Sequence, residues 1–295
     1  MQHGSSIAVA SVAPPRRRPA WTRHAGLMIG GAILVLIVVA AVFAPLLAPH
    51  DPYDQDLLAR IVPPVWMERG AWDHPLGTDH LGRDYLSRLL YGARVSLFIG
   101  IVAAVISGLI GTTLGVIAGY FGGKIDTMIS FIITARLALP VILVALAVVA
   151  LFGSSLTVVV SVLGLLLWDR YALVIRATTQ QIRDADFVMA ARVQGATVPQ
   201  IIMQEILPNV ASNLIVVATL EIAQAIVLEA ALSFLGLGVP APLPSWGLML
   251  AEGKSFILFD PWLITLPGVL LFSLVLAINL VGDGVRDVTA PASRN

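Results

Sequence analysis

Residues 95–123 read VSLFIGIVAAVISGLIGTTLGVIAGYFGG, 29 positions without one charged side chain. About 20 mostly apolar residues in a helix cross the roughly 30 Å of hydrocarbon in a bilayer. Lipid offers backbone polar groups no partner, so such a crossing is helical. Working outward, residues 25–48 are also charge-free, and 127–168 carry only Arg136. The latter stretch is too long for one crossing. Gly153-Ser154-Ser155 marks a turn inside it, which predicts helices over roughly 127–151 and 156–176. A fifth span covers 211–235 and contains Glu221 and Glu229; a sixth covers 261–282 and contains no charge. The reading is an all-α membrane protein of six transmembrane helices, with both termini on one side.

Composition agrees with that pattern. The 295 residues are 58% hydrophobic and 12% charged, with a mean hydropathy of +0.89. Soluble domains carry roughly 25% charged residues, and so few charges would not coat a soluble globule of this length. A soluble enzyme, a secreted module and a nucleic-acid binder are all disfavoured. The absence of cysteine excludes disulfides, thiolate metal sites and a thiol nucleophile, and leaves the redox compartment open. Arg16-Arg17-Arg18 precede the first span, which is longer than the 7–15 apolar residues of a signal peptide and so reads as a retained anchor. The net charge is zero, yet it is unevenly placed. With the N-terminus inside, inner segments hold ten Lys and Arg and outer ones five, which puts both termini in the cytoplasm. Neutrality is then the sum of a basic inner surface and an acidic outer one.

The segments outside the bilayer differ in what they offer. Residues 1–24 read as a disordered tail whose arginines serve as an orientation signal or grip anionic lipid. The outer segment 48–93 opens with Pro49, Pro52, Pro63 and Pro64. From Asp84 it reads as an amphipathic helix lying on the outer membrane surface. Tyr85, Leu86, Leu89 and Leu90 share its apolar face, with Arg83, Ser87 and Arg88 off it. His74 and His80 lie six apart, not a helical metal spacing, and read as loop histidines with no metal site. On the inner side, Asp186 is placed to N-cap a short helix over Phe187–Gln194, and Gly195 to stop it. Thr197-Val198-Pro199-Gln200 reads as a capping box opening a second helix that ends near Pro208. The small residues Ala190 and Ala191 would admit a close-docking partner, or this chain's own spans.

Motifs for chemistry are missing. The nearest match to a nucleotide-binding loop, Gly123-Lys124, has Ala118 for the first glycine and Ile125 for Ser or Thr. Energy would therefore come from an ion gradient or from another protein. Charges within spans are expensive, about 2.5–3.5 kcal/mol each at a helix centre on insertion scales. Arg136 falls near mid-depth if its helix is straight. Asp169 and Arg170 are about 100° apart on a helix and poorly placed to pair with each other. Glu221 and Glu229 lie roughly on one face and either line a polar pathway or brace the outer segment.

Taken together, the motifs resemble the C-type permease subunit of dipeptide and oligopeptide ABC importers, a group that includes nickel-importer permeases. Three stretches carry the resemblance: His74–Gly100; Leu232-Ser233-Phe234-Leu235-Gly236-Leu237-Gly238 with Pro244-Ser245-Trp246-Gly247; and Asn279–Asp287. It covers about residues 25–290. It implies the type I ABC importer architecture in a bacterial cytoplasmic membrane. The parts are a tail 1–24, a first span and outer loop 25–93, a core 94–284 with coupling loop 177–210, and a tail 285–295. It also implies a homologous permease partner, two cytoplasmic ATPases that hold ATP and Mg, and an extracytoplasmic peptide-binding protein. No cofactor belongs to this chain. Phe187, Ala190, Ala191, Gly195, Leu207 and Pro208 become the ATPase-coupling residues, and Glu221, Glu229, Trp246 and Arg136 pathway or gate residues. Met189 stands where this pattern has Glu, and Glu205 where it has an apolar residue or His. Phe131 and Thr134 replace Arg and Asp, and Leu173 replaces Arg, whereas Trp168, Tyr171 and Arg176 fit. Import of nickel or another small solute, a self-contained secondary transporter and a membrane-embedded hydrolase are the alternatives.

Overall fold

The structure is a computed structural model that describes residues 25–289. The predicted tail 1–24, its arginine cluster and the last six residues lie outside the described residues. Within them the chain is helical, and the one β-type pairing is an isolated bridge between Thr78 and Asp84. Helix α1 (Ala25–Val42) is followed by the short α2 (Ala44–Leu47), and a long loop leads to α3 (Tyr85–Phe121). Next come α4 (Gly123–Leu137), α5 (Val141–Phe152), α6 (Leu156–Leu166) and α7 (Trp168–Ile182). Helix α8 (Asp186–Val193) and α9 (Val198–Ile201) precede α10 (Leu207–Phe234), then α11 (Trp246–Gly253) and α12 (Trp262–Thr289). Among the described residues five helices are long and apolar enough to cross a membrane, and the bent pair α4–α5 brings the number to six if it is taken as one broken span.

Several boundaries differ from the sequence reading, each for a physical reason. No separate surface helix lies over residues 84–93. Asp84 caps α3 directly, its carboxylate accepting the Ser87 N–H at 2.8 Å, and the helix then runs unbroken through 37 residues. The side of this helix that reads as polar is its buried side: Arg83, Ser87 and Arg88 are almost wholly enclosed. The boundary expected at 93/94 therefore falls inside α3. The third span is not straight, because the chain turns by 81° between α4 and α5, where Pro140 follows Leu139. Proline lacks an N–H and disfavours helix in the residue before it. The fourth span bends at Leu167 and continues to Ile182, and the last continues to Thr289, into the expected tail.

Packing follows the small residues. Gly111, Gly115 and Gly119 repeat every four positions on α3 and face α7. A Cβ at Gly111 would lie 2.3 Å from the Trp168 carbonyl oxygen, and one at Gly119 2.6 Å from Thr179 Cβ. Lipid gives no hydrophobic force between helices, so such close approach, with its dispersion contacts, is what holds them together. Helix α10 runs between two apolar clusters. One contains Leu97, Ile226, Trp246 and Ile278, the other Ile99, Val159, Leu163 and Leu232. Helix α1 is the most peripheral span, with Met28, Val35 and Leu36 turned outward. The bundle thus has a loop end, bearing 48–84 and α11, and an opposite end bearing α8 and α9.

Candidate functional site

At the end opposite the loop, α8 and α9 form the predicted pair of short capped helices. Ala185, not Asp186, is the N-cap of α8, and Asp186 occupies the first helical position, where its charge still favours the helix dipole. Gly195 adopts φ +85°. Its N–H donates to the Arg192 carbonyl and the Ala196 N–H to that of Ala191, both at 3.0 Å, the paired bonds of a glycine-terminated helix. The Thr197 N–H donates to Gln200 Oε1 at 2.8 Å, closing the predicted capping box. Val188 is fully buried among Val116, Ile175, Ile201, Ile206 and Val210. Arg192 lies over the Tyr120 ring at 5.4 Å and donates to the Arg183 carbonyl. One face of α8 is therefore fixed to the bundle.

The other face is open and apolar. Phe187, Met189, Ala190 and Val193 are exposed, Val193 by 88%, and Val198 and Met203 continue the patch. The second short helix does not end at Pro208. Five residues of wide turn, Ile202–Ile206, join α9 to α10 without interruption. A proline at 208 would press on the carbonyl four residues back, and the widened turn absorbs it. Leu207 packs inward and Pro208 is exposed. The result is one helical rod from Val198 to Phe234.

At mid-depth, Arg136 sits at the α4–α5 break. Its guanidinium donates to the Leu166 carbonyl, and Nη1 lies 3.9 Å from Asp169 Oδ2. Leu166 is ten residues into α6, about 15 Å below its start at 1.5 Å per residue, half a hydrocarbon thickness. Asp169 and Arg170 take different partners, as their 100° separation requires. Arg170 Nη1 lies 3.5 Å from Oε1 of the fully buried Glu221, and the Arg170 side chain is 56% exposed. Arg136, Asp169, Arg170 and Gln224 line an open cavity of about 240 Å³. An apolar groove of about 600 Å³ runs along α3 and α10.

The loop end is closed by buried polar bonds. Glu229 accepts hydrogen bonds from Ser233 Oγ at 2.7 Å and Ser245 Oγ at 2.9 Å. Trp246 is 1% exposed, its ring N–H donating to the Leu89 carbonyl at 2.9 Å. Both residues are walled into the core, and neither lines the cavity of Arg136 and Arg170. Glu229 thus takes the bracing role, holding the Ser245 cap of α11 to α10. Beside them, Arg83 bonds Asp79 at 2.7 Å and Glu252 at 3.1 Å, and Arg88 bonds Glu252 at 2.7 Å.

Comparison with known proteins decides the family. Residues 111–295 match the model of the binding-protein-dependent transport system inner membrane component. Residues 20–64 match the N-terminal membrane domain of oligopeptide transport permease C. The chain belongs to the ABC importer permeases. It is 39% identical to the dipeptide transport system permease protein DppC of Haemophilus influenzae, over 91% of each chain. It is 41% identical to the di/tripeptide transport permease of Pseudomonas aeruginosa, over 93% of this chain and 91% of that one. To the oligopeptide transport permease of Bacillus subtilis it is 36% identical, over 90% and 86%. The fold is that of the MetNI methionine ABC transporter, with a TM-score of 0.57 at 21% identity, over 68% of this chain and 96% of that one. This permease is a multi-pass protein of the bacterial inner membrane and one component of a transporter complex.

The permease also contains groups that sequence reading passed over. Asp126, in the first turn of α4, receives both Arg176 Nε and Arg176 Nη2, the latter at 2.8 Å, and Gln180 Nε2 at 3.1 Å. The signal available was Arg176, which fits the family pattern, but its partner lies fifty residues away. Asp79 and Glu252 were missed likewise, because a buried acid is indistinguishable in sequence from a loop acid. His50 is a fourth residue passed over; its ring lies tilted against that of His74, with centroids 4.6 Å apart.

Proposed function

We propose that this permease carries di- or oligopeptides inward as half of a translocation pathway, with a homologous permease as the other half. The termini and α8 face the cytoplasm, as the ten-to-five distribution of basic residues favours. Phe187, Ala190, Ala191, Gly195, Leu207 and Pro208 act in coupling. The exposed side chains meet an ATPase, and Leu207 and Pro208 join the docking element to α10. Two ATPases bind and hydrolyse ATP with Mg, and this chain needs no cofactor of its own. An extracytoplasmic binding protein delivers the peptide. Arg136 and Arg170 face the pathway, with the buried Glu221 behind Arg170, and charge there suits a substrate with ionised ends.

One observation carries the reading: the exposed apolar face of α8 belongs to a helix packed through Val188 on Ile201, Ile206 and Val210 of a rod that continues into a span. Closure of an ATPase pair around α8 would tilt α10 through that packed contact, across the Gly195 turn. The test is Ala190→Trp in the assembled complex in nanodiscs, at a residue whose side chain is exposed and whose backbone is an ordinary helix. Peptide-stimulated ATP hydrolysis should fall at least about tenfold, the equivalent of roughly 1.4 kcal/mol of coupling, while the permease pair still forms. Wild-type stimulation would overturn the assignment.

A further inference from the structure

We propose that His50, Asp73 and His74 form a binding site for a late first-row divalent cation, with Zn²⁺ as its reference ligand, at the loop end of the permease. The site is independent of the transport reading. His50 follows α2, and His74 lies 24 residues further along, yet their rings come together over one buried carboxylate. His74 Nδ1 is 2.9 Å from Asp84 Oδ1, and His50 Nδ1 is 3.8 Å from the same oxygen. Both Asp84 oxygens face donors: one receives the Ser87 N–H and O–H, and the other lies against His74 Nδ1. That contact makes His74 Nδ1 the N–H donor and leaves the lone pair on Nε2. His50 Nδ1 is enclosed without a hydrogen-bond partner, and its Nε2 is the nitrogen turned toward Asp73.

Both Nε2 atoms then point at a third acceptor. His50 Nε2 lies 3.7 Å from Asp73 Oδ1, and His74 Nε2 3.8 Å from Asp73 Oδ2. These distances exceed a hydrogen bond, so the two imidazole nitrogens and the Asp73 carboxylate face one another without bonding directly, an arrangement that a cation between them would complete. Their ligand atoms all fall within 4.8 Å of one another. A tetrahedral ion with bonds of about 2.0–2.1 Å requires ligand separations near 3.3 Å, so the two histidine–Asp73 distances need to close by roughly 0.5 Å and no pair by more than about 1.5 Å. Two imidazoles and one carboxylate suit Zn²⁺ and its neighbours, not Mg²⁺ or Ca²⁺, which favour oxygen donors. Asp84 supplies the outer-shell carboxylate that ligating histidines ordinarily have. The Asp73 side chain is 78% exposed, which leaves an entry path and room for a water as fourth ligand. The neighbouring trio Asp79, His80 and Glu252 is a poorer site, because Arg83 and Arg88 already occupy its carboxylates. A bound ion would staple the outer end of the first span to the start of α3.

The experiment is a Co²⁺ titration of the purified full-length permease complex, free of any polyhistidine tag and stripped with chelator, read by visible absorption and followed by Zn²⁺ displacement. The expected result is one equivalent per permease, with affinity at least tenfold weaker in both Asp73→Asn and His50→Gln, and unchanged in His80→Gln. Asp73 is exposed, so its variant decides the matter even if His50→Gln does not fold. Absence of Co²⁺ uptake by the wild type, or equal affinity in Asp73→Asn, overturns the site.

Discussion

The two ends of the bundle handle polar and apolar groups in opposite ways. At the loop end Arg83, Arg88, Asp79 and Glu252 are drawn inside and paired with one another, and Glu229 accepts from Ser233 and Ser245. At the opposite end Asp126 pairs with Arg176 and Gln180, local caps hold α8 and α9, and Phe187, Met189 and Val193 are left facing outward. The first end keeps its ion pairs in the core, with Leu58, Trp72 and Phe259 exposed on its loops. The second presents apolar surface that a lone chain gains nothing by exposing. Changes at the loop end should therefore act on stability, and changes at α8 on coupling alone.

The largest effect belongs to the loop end. Arg88→Ala leaves Glu252 with a broken pair and Asp79 with one fewer cation in a buried site. Removing one partner of a buried ion pair costs about 3–5 kcal/mol. We expect a steep loss of thermal unfolding midpoint in detergent, checked by scanning fluorimetry, with little folded protein at 37 °C. Next is the α3–α7 contact. Gly111→Val places new carbon against the Trp168 carbonyl, which a Cβ would already approach to 2.3 Å. Overpacking of this kind costs about 1–3 kcal/mol, and the same assay should show an intermediate loss.

These two positions also show where the sequence was and was not readable. Charge-free length carried the spans, and capping chemistry carried α8 and α9, because both are local signals. The bend at Pro140 went unread, because an apolar run says nothing about a bend. Residues 84–93 misled for a deeper reason. The periodicity of Tyr85, Leu86, Leu89 and Leu90 was real, but its opposite side met Glu252 of α11 rather than water. An arginine's destination depends on a partner more than 160 residues away, and no local pattern carries that. The sequence left Glu229 open between a pathway and a brace, and the buried bonds to Ser233 and Ser245 favour the brace, because burial is a property of the fold. The family resemblance supplied the class, which the spans alone left open between an ABC permease and a secondary transporter.

A smaller stability effect is expected at mid-depth. Arg170→Met removes the ion-pair partner of Glu221 found among the described residues, yet Arg170 is half in the open. Solvent around Arg170 screens the pair, so the cost of leaving the enclosed Glu221 alone falls below the roughly 3–5 kcal/mol of a fully buried pair. If this cavity lies on the pathway, transport in proteoliposomes should fall well beyond what the small shift in unfolding midpoint explains. Equal loss of both would place Arg170 in the scaffold.

The smallest effect sharpens the contrast most. Val193→Ser alters the most exposed apolar side chain of α8, 88% open, and touches nothing buried. Surface substitutions away from caps and pairs stay within about 0.5 kcal/mol, so the isolated permease should unfold at the wild-type temperature. In the assembled transporter the same change removes apolar area from a contact, and the affinity for the ATPase should drop several-fold. The two measurements are read on one variant. A stability loss comparable to that of Gly111→Val would mean that Val193 is covered by this chain. An unaltered ATPase affinity would mean that the contact lies elsewhere on the helix, and the difference between the two ends would then be one of burial and not of purpose.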